Sequence, residues 1–208
     1  MPASAPEAVS VPEPVSALRQ VAKPGRFGAA GATPLVIMER RLSLVQILAR
    51  KGREADVQAA IRNTFGLDLP APLRAASSGG TTAIWVQPGM WMLSAPGHAE
   101  GAMARLVKEA TGDAASIVDQ SHGKTVLTLS GARARDVMAK GCRLDLHPRA
   151  FAPGHSAVTQ VAHVGCMLRQ IDEVPSYEML VPSSFAETFF GWLTHSAAEY
   201  GYEVKPRA

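Results

Sequence analysis

Cysteine is almost missing from this chain: Cys142 and Cys166 are the only two in 208 residues. Neither sits in a C-x-x-C pair, which argues against a structural zinc site or a dithiol redox motif. No apolar run reaches the roughly 20 residues that a helix needs to span a bilayer. The longest candidate, 185–198, is interrupted by Glu187, Thr188 and His195. The N-terminus lacks the basic-then-apolar pattern of a secretory signal. These absences lead us to expect a cytoplasmic protein with no membrane association.

Clustered charge is missing too. The formal net charge is only +3, and the cations are scattered at Arg40, Arg41, Arg50, Lys51, Arg53, Arg133 and Arg135, with Glu39, Glu54 and Asp136 beside them. Binding a phosphate backbone needs several grouped cations. These residues therefore read as solvated faces and turns, and no nucleic-acid partner is expected. A basic-Gly-aromatic signature of an RNA-recognition strand is absent as well. Its nearest approach, Pro24-Gly25-Arg26-Phe27-Gly28, has proline where the basic residue belongs and precedes the folded part.

The usual marks of catalysis are also lacking. Gly79-Gly80 and Gly28-Ala29-Ala30-Gly31 match neither dinucleotide-loop nor P-loop spacing. The histidines, at 98, 122, 147, 155, 163 and 195, form no H-E-x-x-H motif or close ligand pair. His163 reads as a core or edge histidine of an apolar strand, and His98 with Glu100 suits a helix start. Cys142 is expected at a helix C-terminus, where the dipole disfavours a thiolate. Cys166 reads as a small buried hydrophobe. The densest polar cluster, Asp119-Gln120-Ser121-His122-Gly123, reads as a connector whose side chains bond backbone groups, with the remnant of a ligand site as the other reading. No catalytic, cofactor-binding or metal-binding residue is assigned in this chain.

What is present is ordinary globular material, 47% hydrophobic and 19% charged, enough for one or two compact cores. Prolines at 2, 6, 12 and 14 oppose regular structure at the start, so 1–34 is expected to be a flexible Pro-rich N-terminal arm. Leu18, Val21 and Phe27 have no obvious core. Residues 17–31 are therefore expected to lie extended on a partner, with Arg19, Lys23 and Arg26 near acidic groups.

From 35 to 122 the pattern predicts a first α+β unit. Strands are expected at 43–49, 81–87, 90–95 and 115–120, with helices at 53–65 and 98–111. The helix stripes are Val57, Ile61 and Phe65, then Met103, Leu106, Val107 and Ala110. A second unit over 123–208 repeats the order: strand 124–130, helix 132–140, strands 156–163, 166–171 and 176–181, helix 184–200 and strand 202–204. Leu67-Asp68-Leu69-Pro70 in the first half matches Leu144-Asp145-Leu146-His147-Pro148 in the second. The expected fold class is α+β: two ferredoxin-like βαββαβ units packed together, with an extended N-terminal arm.

Several runs carry a family resemblance. They are Ala17-Leu18 with Pro24-Gly25-Arg26-Phe27-Gly28, and Glu39-Arg40-Arg41-Leu42 leading to Ala49-Arg50-Lys51-Gly52. The most specific begins at Asp119-Gln120-Ser121-His122-Gly123 and continues through Leu129-Ser130-Gly131-Ala132-Arg133 and Lys140-Gly141-Cys142 to Leu144-Asp145-Leu146-His147-Pro148-Arg149-Ala150-Phe151. Together they resemble the gamma subunit of heterotetrameric sarcosine oxidase. The resemblance implies a fold similar to the folate-binding domain of glycine-cleavage T-protein. It implies an accessory, structural role beside alpha, beta and delta subunits, in an enzyme that demethylates sarcosine oxidatively to glycine and passes the one-carbon unit to tetrahydrofolate. FAD, FMN, NAD, tetrahydrofolate and zinc would then belong to the partner subunits. Lys140-Gly141-Cys142 is also similar to a motif of folate-dependent iron–sulfur assembly proteins. Here it continues into Arg143-Leu144-Asp145, so no folate-binding residue is carried over. The alternatives are a stand-alone folate-binding or folate-sensing module, and the equivalent subunit of a related N-methyl amino acid dehydrogenase.

Overall fold

The computed structural model describes residues 15–30 and 34–208. The Pro-rich segment expected at the start falls largely on 1–14, outside the described residues.

Two strands come first, β1 (Gly25–Phe27) and β2 (Leu35–Arg40). Then follow β3 (Ser43–Ala49), α1 (Glu54–Phe65), β4 (Ala75–Ser78), β5 (Thr81–Gln87), β6 (Met90–Ala95), α2 (Ala102–Thr111) and β7 (Ala115–Asp119). The second half runs β8 (Lys124–Ser130), α3 (Ala134–Ala139), β9 (Ser156–Val161), β10 (Val164–Asp172), β11 (Ser176–Pro182), α4 (Ala186–Ala197) and β12 (Tyr202–Val204).

The strands form two sheets, ordered β4-β5-β6-β3-β7 and β1-β12-β2-β8-β11-β10-β9. In the five-stranded sheet β3 lies between β6 and β7, antiparallel to both. That is the split βαβ order of a ferredoxin-like unit, with β4 added at its edge. Setting β1 and β2 aside leaves the same plan in the larger sheet, where β9 is the added edge strand. The chain is thus α+β with two ferredoxin-like units.

Strand alternation builds the layers. In β3, Val45 and Ile47 face α1 and α2 and pack with Ile61, Leu93, Met103 and Val107. Leu44, of opposite parity, meets the other sheet. There Leu44, Ile84 and Met92 pack against Val126, Met167 and Leu180. Helices α3 and α4 cover the outer face of the larger sheet, whose core includes Leu127, Leu129, Val137, Tyr177, Phe189 and Leu193. The layers run helices, sheet, sheet, helices.

Several expectations are corrected. Residues 35–40 belong to the larger sheet, not to the first unit: β2 runs parallel to β12 and antiparallel to β8, and buries Leu35 and Ile37 there. The described part of the arm folds on its own chain. Leu18 is fully buried in the larger core, β1 pairs with β12, and Arg26 reaches Glu203 at 3.8 Å. Gly28, at φ +77°, lies so close to the backbone of Ala198 that a Cβ could not fit. Helix α2 begins only at Ala102, because Gly97 and Gly101 both have positive φ, and His98 and Glu100 precede it. Leu106 on α2 is 38% exposed, while Met103 and Val107 are buried. Strand β4 was not expected, since Ala-Ala-Ser-Ser carries no apolar alternation.

His163 is no strand residue. Ala162 and His163, at φ +50° and +66°, form the two-residue turn between β9 and β10, and His163 is exposed. Both central residues in the left-handed region suit a type I′ hairpin.

Candidate functional site

Two crossovers carry the chain from one sheet to the other: Arg41-Leu42 between β2 and β3, and the 120–123 segment between β7 and β8. They meet at one end of the layered interface and bound a cleft of about 820 Å³. The segment Val15 to Ala17, the turn at 97–100, Ser183 and Arg207 complete its walls.

The crossover at 119–123 is tied down by its own polar groups. The Gln120 N–H donates to the Leu44 carbonyl at 2.8 Å. The Leu44 N–H donates to Ser121 Oγ at 3.0 Å, and the Ser121 N–H to Asp119 Oδ1 at 2.9 Å. These bonds satisfy backbone groups that leave the sheets here. Of the expected cluster, Ser121 and His122 line the cleft, while Asp119 and Gln120 brace the turn.

The ionic pattern of the cleft is uneven. Glu39, only 8% exposed, accepts from Ser16 Oγ at 2.6 Å and pairs with Arg207 at 3.1 Å. Glu100 pairs with His122 at 3.0 Å. Both cleft carboxylates thereby have a hydrogen-bond partner. The guanidiniums of Arg40 and Arg41 and the ammonium of Lys124 join no ion pair among the described residues. Arg40 Nε is buried with no hydrogen-bond partner among the described residues. Sequence reading treated Arg40 and Arg41 as solvated surface and did not single out Lys124 or Arg207. Only the β2–β8 pairing, with Arg40 opposite Val126, brings residues so far apart in the chain together.

The other candidates do not converge. Of the histidines, only His98 and His122 line the cleft. His147 accepts from the Arg149 N–H within a turn, His155 packs edge-on to Phe151, and His195 is exposed on α4. Among the described residues no three His, Cys, Asp or Glu side chains gather into a metal site. Gly79 and Gly80 make the tight β4–β5 turn, not a phosphate cradle.

Cys142 is half-buried beyond α3, and Cys166 is buried on β10. Burial pushes both thiols up, Cys166 far above the ordinary range, with Cys142 nearby as a lesser cause. The thiolate is the reactive form. Cys166 in the native chain is therefore expected to resist iodoacetamide at pH 8, and both cysteines to label in urea. Peptide mapping decides it: native labelling of Cys166 at the unfolded rate would show that the thiol is not sealed in the core.

The profile described as "Sarcosine oxidase, gamma subunit family" matches residues 51–199. The sarcosine oxidase subunit gamma of Corynebacterium sp. (strain P-1) is 34% identical over 147 residues, 70% of this chain and 71% of that protein. Among solved structures, a chain of the heterotetrameric sarcosine oxidase from Corynebacterium sp. U-96, in complex with pyrrole 2-carboxylate, superposes with a TM-score of 0.77 at 25% identity. That match covers 90% of this chain and 96% of that one. The glycine cleavage system aminomethyltransferase T of Bartonella henselae matches with a TM-score of 0.60 at 14% identity, over 84% of this chain and 48% of that one, a likeness of fold.

Proposed function

The chain belongs to the sarcosine oxidase gamma subunit family, and from this we propose that it is the accessory, structural subunit of a flavoprotein oxidase complex acting on sarcosine. The observation that carries the reading is likeness over nearly the full length of a chain that itself comes from a heterotetrameric sarcosine oxidase. In this reading alpha, beta and delta subunits are the partners. FAD, FMN, NAD, tetrahydrofolate and zinc reside in those subunits, and the complex works in the cytoplasm.

The chain's own residues suit a scaffold. The glycine turn at 79–80 closes a hairpin, and Gly28 packs against the α4 end, so neither presents the run of free N–H groups that cradles a pyrophosphate. The side chains of Asp119 and Ser121 are spent on backbone groups. What the fold offers a partner is a rigid double-sheet body, tied together by the sheet-to-sheet core and by the braced crossovers. Its contribution to demethylation is to hold flavin- and folate-carrying subunits in place, while proton and hydride transfer occur on those subunits.

A tagged copy expressed in its native cells is expected to bring down flavin-containing chains at fixed stoichiometry. The chain purified alone is expected to show no flavin absorption band and no oxidation of sarcosine. Recovery of the tagged chain without any flavoprotein would overturn the subunit reading. Saturable tetrahydrofolate binding by the isolated chain, together with that failure, would favour the stand-alone folate module.

A further inference from the structure

We propose that the cleft between the crossovers is a docking site for an extended acidic segment of a partner subunit, whose carboxylates pair with Arg40, Arg41 and Lys124. The inference rests on the subunit reading above and adds the surface and the chemistry of the contact.

The argument begins with strand alternation. Arg40 stands opposite Val126 in the β2–β8 ladder, and Lys124 is two residues along β8 on the same face. Val126 packs between the sheets, so Arg40 and Lys124 both leave the larger sheet on the side toward the smaller one, at its open end. Such diagonal neighbours lie about 7–8 Å apart. Arg41 follows at once in the crossover. The cleft's two carboxylates, Glu39 and Glu100, are already engaged. Among the residues lining the cleft, Arg40, Arg41, Lys124 and Arg207 outnumber Glu39 and Glu100, so the local charge balance is positive.

A polar N–H withdrawn from water without an acceptor is unfavourable. Arg40 Nε is withdrawn from water and has no partner among the described residues. A carboxylate entering the cleft would supply the missing acceptor, and a planar guanidinium engages a carboxylate through two parallel hydrogen bonds. The cations are spread over β2, the crossover and the start of β8, interleaved with Leu42, Val126 and Ala17. An extended polypeptide presenting several carboxylates matches that spread. A single small oxyanion would engage one head and leave the others bare.

The test uses the intact complex isolated through a tagged copy of this chain. A zero-length carbodiimide joins an amine to a carboxylate in direct contact, and peptide mapping then names both ends. Lys124 is expected to cross-link to an aspartate or glutamate of a partner subunit. The variant Arg41→Glu/Lys124→Glu is expected to weaken partner binding at least tenfold at low salt and to flatten the dependence on salt, because steering between complementary charges is screened. Arg40→Met, which keeps the apolar stem in place, should weaken binding without unfolding the chain, as circular dichroism and thermal melting will verify. Three results would overturn the inference. In the first, Lys124 cross-links only within this chain, or to nothing, in an intact complex. In the second, the charge-reversed chain is folded and assembles with unchanged affinity and salt dependence. In the third, inorganic phosphate or succinate binds the isolated chain through Arg40 while the cleft variants assemble normally, which would make the cleft a small-anion site. If the wild-type chain captures no flavoprotein at all, the subunit reading itself fails, and the docking proposal goes with it.

Discussion

Leu18→Ala is expected to destabilise the chain by about 2–5 kcal/mol, the range for deleting a fully buried leucine side chain. Leu18 is inaccessible to solvent and packs into the larger core, with Ala17 and Ala22 half-buried beside it. It is held there by a local turn: the Val21 and Ala22 N–H groups donate to its carbonyl at 3.0 and 2.8 Å, and its own N–H donates to Ser16 Oγ at 2.9 Å. Ser16 in turn bonds Glu39 of β2. Anchored this way, the segment carries the chain on to β1, which adds an edge strand to β12. A composition argument expects a flexible arm over 1–34, with 17–31 laid on a partner. The packing predicts instead that deleting residues 1–31 lowers stability by at least as much as Leu18→Ala. Val21, 41% exposed, is the control, since Val21→Ala should stay within about 0.5 kcal/mol of the parent. Urea midpoints at an unchanged m value measure both. If the Leu18→Ala midpoint coincides with that of Val21→Ala, the segment is not part of the core.

The elements that sequence patterning located are those whose periodicity is local. Strands β3, β5, β6, β8 and β12 fall on the expected ranges, because their apolar runs end at turn residues such as Pro88-Gly89. Helix α1 ends where Gly66 adopts a left-handed conformation and returns its N–H to the Arg62 carbonyl. The turn at Ala162-His163 was hidden because a type I′ hairpin is normally signalled by Asn-Gly, and two ordinary residues stand there. The place of β2 could not be read at all. Its sequence, Leu-Val-Ile-Met-Glu-Arg, suits either sheet, and only pairing with β8 and β12 across the chain decides. The cleft follows the same logic. Asp119 to Gly123 was visible as a polar cluster, but Arg40, Lys124 and Arg207 become neighbours only once β2 lies between the two ends of the second unit.

Replacing Arg169 by Met is expected to cost about 3–5 kcal/mol, the penalty for stranding a buried charge whose partner is removed. Arg169 on β10 and Glu178 on β11 are direct cross-strand partners, with Nε–Oε1 2.6 Å and side chains only 13% and 2% exposed. Ladder register sets them in a row with Ser156, Thr128 and Met38 on the face turned toward the smaller sheet. The next row toward the cleft holds Met167, Leu180 and Val126, with Arg40 at its β2 end. With Arg169 gone, the Glu178 carboxylate loses its ion-pair partner and has little access to water. The double variant Arg169→Met/Glu178→Leu removes both charges and keeps most of the volume. It should recover most of the loss, because a buried pair gains little over well-packed apolar residues. The coupling energy between the two positions should then be at least about 2 kcal/mol, near the upper part of the range for contacting residues. Arg133–Asp136, 3.0 Å apart but 58% and 44% exposed, supplies the contrast, with an expected coupling of about 0–1 kcal/mol. Chemical denaturation of the four members of each cycle gives both values. Equal coupling at the two sites would mean that water reaches the Arg169–Glu178 pair, and that the two sheets do not close over it.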